Sequence, residues 1–203
     1  MFYNTNDYLK SFNRPNVHLI TEPIQEITHD SILLKNTQDA SVKEVELDAI
    51  IYATGFDVLE STKNMDIKNP KNGKSLSTIW GETPNAYLGI MAAEIPNFFI
   101  ILGPATGLGH NSVVFMIERQ VDFIINMITQ NIEQGHAVVE VKEEANTAYQ
   151  ESIRKQTKDR VFSSGCDSWY QNSEGFTYIL WPSHCVSYWW RTLFINRNHF
   201  NFS

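Results

Sequence analysis

The sequence predicts an α/β protein, and three observations carry that prediction. The run Leu47-Asp48-Ala49-Ile50-Ile51-Tyr52-Ala53 is nearly continuous in apolar character, as a strand covered on both faces requires. A second strand candidate, Asn97 to Leu102, empties into the glycine-rich turn Gly103-Pro104-Ala105-Thr106-Gly107-Leu108-Gly109. Beyond Asn111 the apolar period changes from two to between three and four, with Val113, Ile117, Val121, Ile124 and Ile128 in register, which marks a helix to about Glu133.

The remaining elements follow from the same patterns. A short helix is expected near Tyr8–Phe12, followed by short strands at Val17–Ile20, Ile24–Ile27 and Ile32–Leu34, a small antiparallel β element. A polar loop centred on Asn69-Pro70-Lys71-Asn72-Gly73 precedes a strand candidate at Ala86–Ile90. Phe115, Met116, Phe123 and Met127 widen the stripe of the long helix, so it packs on more than one side, and Gly135 is placed to stop it. A strand at Ala137–Val141 and a charged helix from about Glu143 to Arg160 come next. From Gly165 to Arg191 the chain concentrates Trp169, Tyr170, Phe176, Tyr178, Trp181, Tyr188, Trp189 and Trp190. With Asn172–Gly175 as turn residues, this reads as a covering hairpin.

Composition narrows the function. Of 203 residues, 42% are hydrophobic and 19% charged, which describes a folded chain with a core. The net charge of -7 and the lack of a Lys/Arg block argue against nucleic acid or anionic lipid as partners. The longest apolar stretch falls far short of the roughly 20 residues that cross a bilayer, and the start has no secretory pattern, so a cytoplasmic location is expected. Cys166 and Cys185 are far apart in sequence and in no metal-ligand spacing, so plain thiols and no metal site are expected.

The strand, glycine turn and helix around Gly103 to Asn111 form the strongest chemical feature. A helix start offers free N–H groups and partial positive charge to an anionic or carbonyl-bearing ligand. Gly107-Leu108-Gly109-His110-Asn111-Ser112 approaches the dinucleotide fingerprint G-x-G-x-x-G/A. It fails as one, because Pro104 and a detour precede it and no acidic residue sits at a second strand tip about 20 positions on. A glycine-rich turn without ligand is the alternative, in which Asn111 and Ser112 serve only as helix caps.

A set of ordered motifs then points to one family. Asp48-Ala49-Ile50-Ile51-Tyr52-Ala53-Thr54-Gly55-Phe56-Asp57 resembles the A-T-G segment of flavin-containing and Baeyer-Villiger monooxygenases. In the same order follow Gly73, Leu76, Trp80 and Tyr87-Leu88-Gly89, then Pro96-Asn97-Phe98-Phe99 leading to Gly103-Pro104. Thr106 to Ser112, Gly165 to Tyr170, Leu180-Trp181-Pro182 and Tyr188 to Thr192 resemble the subgroup that includes 4-hydroxyacetophenone monooxygenase.

The resemblance implies the C-terminal part of a flavoprotein with two Rossmann-like dinucleotide-binding domains, followed by an aromatic-rich extension. It implies FAD and NADPH as cofactors and a small ketone as substrate, with a heteroatom-oxidising enzyme as the alternative. It divides the chain into residues 1–53, the end of the NADPH region with the crossing strand; 54–141, part of the FAD domain; and 142–203, a helix with the aromatic hairpin. Cofactor contacts are expected from Thr54, Gly55, Gly103, Pro104, Gly107, Leu108, Gly109, Asn111 and Ser112, and a substrate pocket from Trp80, Trp169, Tyr170 and Trp181. The family's two G-x-G-x-x-G fingerprints, its F-x-G-x-x-x-H signature and its catalytic arginine have no counterpart in this sequence. No catalytic residue is therefore assigned, and this chain alone is expected to be inactive. Self-association, or completion of a separate flavin domain, is expected of a chain with unpaired apolar strands.

Overall fold

The computed structural model describes residues 7–55, 65–158, 160–163 and 170–203. It divides into two compact units, residues 1–56 and 57–203.

The first unit holds helix α1 (Tyr8–Ser11) and an antiparallel meander of β1 (Ile24–Ile27), β2 (Ser31–Lys35) and β3 (Val42–Glu46). Ser31 pairs with Glu46 and Lys35 with Val42, and the Ser31 hydroxyl donates to Glu44 Oε1 at 2.6 Å, which pins the register. Two of the expected short strands are therefore present, at Ile24–Ile27 and around Ile32–Leu34, and β3 is an addition.

The expected strand at Val17–Ile20 is not formed, and neither is the one at Leu47–Ala53. Both segments carry strand-like side chains, but a strand needs a neighbour to satisfy its ladder groups, and neither finds one among the described residues. The outcome is exposure of the apolar run: Ile51 is 92% and Tyr52 72% accessible.

In the second unit the elements are α2 (Leu76–Trp80), α3 (Val113–Glu133), β4 (Val139–Val141), α4 (Glu143–Thr157), α5 (Cys185–Thr192) and β5 (Phe200–Phe202), with short 3-10 turns at Val161–Ser163 and Arg197–His199. Ser75 caps α2 by accepting from the Thr78 N–H. Helix α3 ends before Gly135, which takes the left-handed conformation expected of a helix stop. Its buried side chains are Met116, Gln120, Phe123, Met127 and Asn131, a face rotated by about one position from the expected Val113-Ile117-Val121 stripe. The rotation leaves Ile125, Ile128 and Ile132 exposed.

Strands expected at Ala86–Ile90 and Asn97–Leu102 are corrected to tight turns. Tyr87 and Met91 close a single bridge, and Leu88, Asn97 and Leu102 adopt positive φ, which breaks the extended run. The aromatic block also differs from a hairpin. Asn172 to Gly175 do form the turn, closed by a Gln171–Thr177 bridge, but Cys185–Thr192 is helix α5, whose Tyr188 and Thr192 at four-residue spacing face inward.

The main core gathers α3, α4, α5, β4 and β5 around Met116, Phe123, Met127, Ile153, Trp181, Tyr188 and Phe200. The C-terminal segment belongs to this core. β5 pairs with β4, Phe200 is 3% accessible, and the Ser203 carbonyl accepts from Ala137 and Val138 at 2.8 and 2.7 Å. A smaller core holds Leu76, Trp80, Ala92 and Ile95.

Candidate functional site

The glycine turn between Gly103 and Gly109 is built by backbone packing. A Cβ on Gly103 would lie 2.3 Å from the Gly89 carbonyl oxygen, and one on Gly107 would lie 3.1 Å from the Ile179 oxygen. The space at these positions is thus filled by the chain itself. Main-chain bonds join the turn to the aromatic segment: Ala105 N–H donates to Tyr178 O, Gly107 N–H to Ile179 O and Trp181 N–H to Gly107 O, at 2.7, 2.9 and 2.8 Å. Thr106 is fully buried and its hydroxyl donates to Gly103 O at 2.6 Å, locking the turn from within.

After Leu108 the chain surfaces. Gly109, His110, Asn111 and Ser112 are exposed, and they lead directly into α3. Ser112 is the helix cap, its Oγ accepting from Phe115 N–H at 3.3 Å, whereas Asn111 precedes the cap and its Oδ1 accepts from the Ser112 N–H at 2.7 Å. Asn111 Nδ2 also donates to Cys185 Sγ at 3.3 Å, tying the starts of α3 and α5 together. The N–H groups of Val113 and Val114 have no protein partner among the described residues, so the positive end of a 21-residue helix is open.

Two cavities flank the segment Tyr178–Pro182. One, of about 260 Å³, is almost wholly apolar and is walled by Leu76, Trp80, Phe98, Ile100, Leu102 and Gly103, with Pro104, Tyr178 and Ile179 completing it. The other, of about 220 Å³, is walled by Gly109, His110, Arg160, Phe162, Trp181 and His184. The residues expected to act in the site are therefore distributed. Trp80, Gly103 and Pro104 meet at the first cavity, and Gly109 and Trp181 at the second.

Leu108 is buried in the main core, and Thr54 and Gly55 lie exposed in the first unit. Trp181 is 3% accessible, edge-on to Tyr188, with its indole N–H donating to His184 O at 3.1 Å. Trp80 is 9% accessible and its indole nitrogen has no hydrogen-bond partner among the described residues. Tyr170 packs edge-on against Phe162, and Trp169 lies outside the described residues.

Sequence reasoning overlooked a buried polar relay beneath the turn. Leu102 N–H donates to Gln120 Oε1 at 2.9 Å, Gln120 Nε2 donates to Tyr188 Oη at 3.0 Å, and Tyr188 Oη donates to Leu88 O at 2.7 Å. Gln120 and Tyr188 are both 0% accessible. Burial pushes the Tyr188 hydroxyl's pKa well above the ordinary tyrosine value, with the Gln120 hydrogen bond opposing it, so the phenol stays a donor. The signal was in the sequence: an uncharged amide within an otherwise apolar helix face asks for a buried partner.

Among the described residues no group of His, Cys, Asp or Glu is placed to hold a metal ion, and no helix is long and apolar enough to cross a membrane. Cys185 is a free thiol, and Cys166 lies outside the described residues.

No family model matches the chain. It is 34% identical over 189 residues to the FAD-binding monooxygenase ktnD of Aspergillus niger, covering 91% of this chain and 30% of that protein. A Baeyer-Villiger monooxygenase of Pseudomonas aeruginosa is 33% identical over 180 residues, 88% of this chain and 33% of that one. Phenazine N-monooxygenase PhzNO1 of Lysobacter antibioticus is 35% identical over 149 residues, 71% and 26% of the respective lengths. The crystal structure of OTEMO in complex with FAD and NADP matches with a TM-score of 0.76 at 29% identity, over 97% of this chain and 37% of that one. The chain spans about a third of the length of the proteins it matches.

Proposed function

Because the chain is homologous to about a third of the length of the FAD-binding Baeyer-Villiger monooxygenases, and belongs to that family over the part it spans, we propose that it supplies the flavin-facing turn of such an enzyme. The enzyme would use FAD and NADPH to insert one oxygen atom of O2 beside the carbonyl of a small ketone. The observation that supports this reading is the open start of α3, with the unpartnered N–H groups of Val113 and Val114 behind the exposed run Gly109–Ser112.

The residues present fit one edge of a flavin. Two free amides and a helix dipole favour a carbonyl-rich, electron-accepting rim, whereas Gly103 and Gly107 are occupied by the chain's own backbone and supply no phosphate cradle. When bound, FAD supplies the redox and oxygen chemistry. The chain's own part is to present the amides of Val113 and Val114 and the side chains of Asn111 and Ser112 to the cofactor. Gly109 and Leu108 hold the approach to them, and Gly103 and Pro104 wall the neighbouring apolar cavity. Thr54 and Gly55, exposed in the first unit, are cofactor contacts proposed on the A-T-G motif alone.

Trp80, with Tyr178 and Ile179, excludes water from the apolar cavity. Trp80, Trp169, Tyr170 and Trp181 are the proposed substrate-side residues. A second reading, oxidation at a heteroatom, is favoured by the similarity to a phenazine N-monooxygenase.

The test is titration of the purified chain with FAD, followed by flavin fluorescence and by the amide resonances of Val113 and Val114. Weak saturable binding that moves those two resonances is expected, with no NADPH oxidation by this chain alone. Resonances that stay fixed at millimolar FAD would overturn the reading of the α3 start. NADPH turnover by these residues alone would overturn the claim that catalysis needs further segments.

A further inference from the structure

The site's turn is held in shape by two residues that never reach it. Leu88 and Leu102 both adopt left-handed backbone, φ 54° and 55°, a strained conformation for any residue that carries a Cβ. Beside them Gly103 and Gly89 meet so closely that a Cβ added to Gly103 would lie 2.3 Å from the Gly89 carbonyl oxygen. Such a conformation persists only when the surroundings over-determine it.

The relay does so from the opposite direction. Gln120 projects from the buried face of α3 and accepts from the Leu102 N–H; Tyr188 projects from the buried face of α5 and donates a hydrogen bond to the Leu88 carbonyl; and the two side chains bond each other. Gln120 thus uses its oxygen for one strained residue and its amide nitrogen for the group that holds the other. Exchanging those two ends of the amide would set a nitrogen against the Leu102 N–H and draw the Tyr188 hydroxyl away from the Leu88 carbonyl, so the Tyr188–Leu88 bond favours the orientation of Gln120 that accepts from Leu102.

We propose that Gln120 and Tyr188 are a pair of positioning residues that hold the Leu102–Pro104 backbone, and through it the apolar cavity wall and the entry to α3, in the geometry the cofactor meets. The cofactor half of this statement rests on the flavin reading above; the positioning half does not. Tyr188 acts on Leu102 through Gln120, and the chain of bonds links Leu102 to Leu88. The pair is fully buried, so the coupling is shielded from competing water.

Site-resolved amide hydrogen exchange on the full chain tests this, with Q120M, Y188F and the double variant. Q120M is expected to speed exchange at Leu102 by about tenfold or more, the loss of one buried hydrogen bond. Y188F, which removes no atom touching Leu102, is expected to speed it several-fold, and the double variant no further than Q120M alone. The Met127 amide, deep in α3, should stay within about twofold throughout. The weak FAD affinity should fall in Q120M and Y188F alike.

Y188F leaving Leu102 exchange unchanged would overturn the relay, as would a uniform rise in all amides, which marks a merely structural role. Selective exchange at Leu102 with FAD affinity unchanged would overturn the cofactor half. Failure of the unsubstituted chain to bind FAD would overturn the flavin reading, while the exchange pattern would still decide the positioning claim.

Discussion

Replacing Gly103 by alanine isolates a single steric event. The added Cβ would fall 2.3 Å from the Gly89 carbonyl oxygen, 3.1 Å from Ile100 Cγ2 and 3.2 Å from the Gly89 carbonyl carbon. The first of these is about an ångström inside a tolerable contact, and its partner is backbone. Gly103 is absent from the positive-φ positions, so the alanine meets no conformational penalty of its own. The whole effect is then overpacking, which costs about 1–3 kcal/mol when the backbone must retreat. For a chain of this size, each kilocalorie shifts the melting midpoint by roughly 2–4 °C, so a fall of about 2–12 °C is expected.

The control is Gly73→Ala. No atom lies within 4 Å of its added Cβ, but φ is +72°, so only the left-handed penalty of about 1 kcal/mol applies. Thermal melts followed by far-UV circular dichroism compare the two. A Gly103→Ala midpoint no lower than that of Gly73→Ala would refute the claim that backbone contact, and not backbone conformation, requires glycine at 103.

Further expectations follow from other parts of the second unit. Phe200→Ala empties a position packed edge-on against Tyr87 and tilted against Phe123, and should cost about 3–5 kcal/mol in urea unfolding. Tyr149→Phe removes a buried hydroxyl with no partner among the described residues, so stability should be unchanged or higher in the same assay. Burial raises the Tyr87 pKa from 10.0 to about 12, with Arg191 opposing it. Because the folded state keeps this proton after the unfolded state has lost it, stability should fall as pH rises from 10 to 12, by roughly 2–3 kcal/mol. Alkaline melts of Tyr87→Phe should show a shallower decline. In the first unit, Ile51→Lys should reduce light scattering at high concentration with no change in melting midpoint, since Ile51 is 92% accessible.

The sequence was most legible where local chemistry decides structure. Ser112, the 3.6 period from Val113 and Gly135 locate α3 to within a residue or two, and the four turn residues Asn172–Gly175 are where they were expected. Strands were less legible, because a strand depends on a neighbour that local pattern does not reveal. Leu47–Ala53 has the composition and no partner among the described residues, while Val42–Glu46 has a mixed composition and a partner in β2.

Helix α5 was hidden by aromatic residues that suit strands equally well. The ordered motifs carried the family, which residue patterns alone did not reach. The division of the expected site between two cavities followed from the parallel pairing of Gly107 with Leu180, a long-range contact with no local signature.

That pairing also bears on how such a protein can change. Because the stitches from Ala105 and Gly107 to residues 178–181 run through peptide groups alone, they make no demand on which side chains sit there. Tyr178 and Ile179 line one hollow and Leu180 and Trp181 the other, so the side chains of four consecutive residues set the contour of both hollows while the seam itself is closed by backbone.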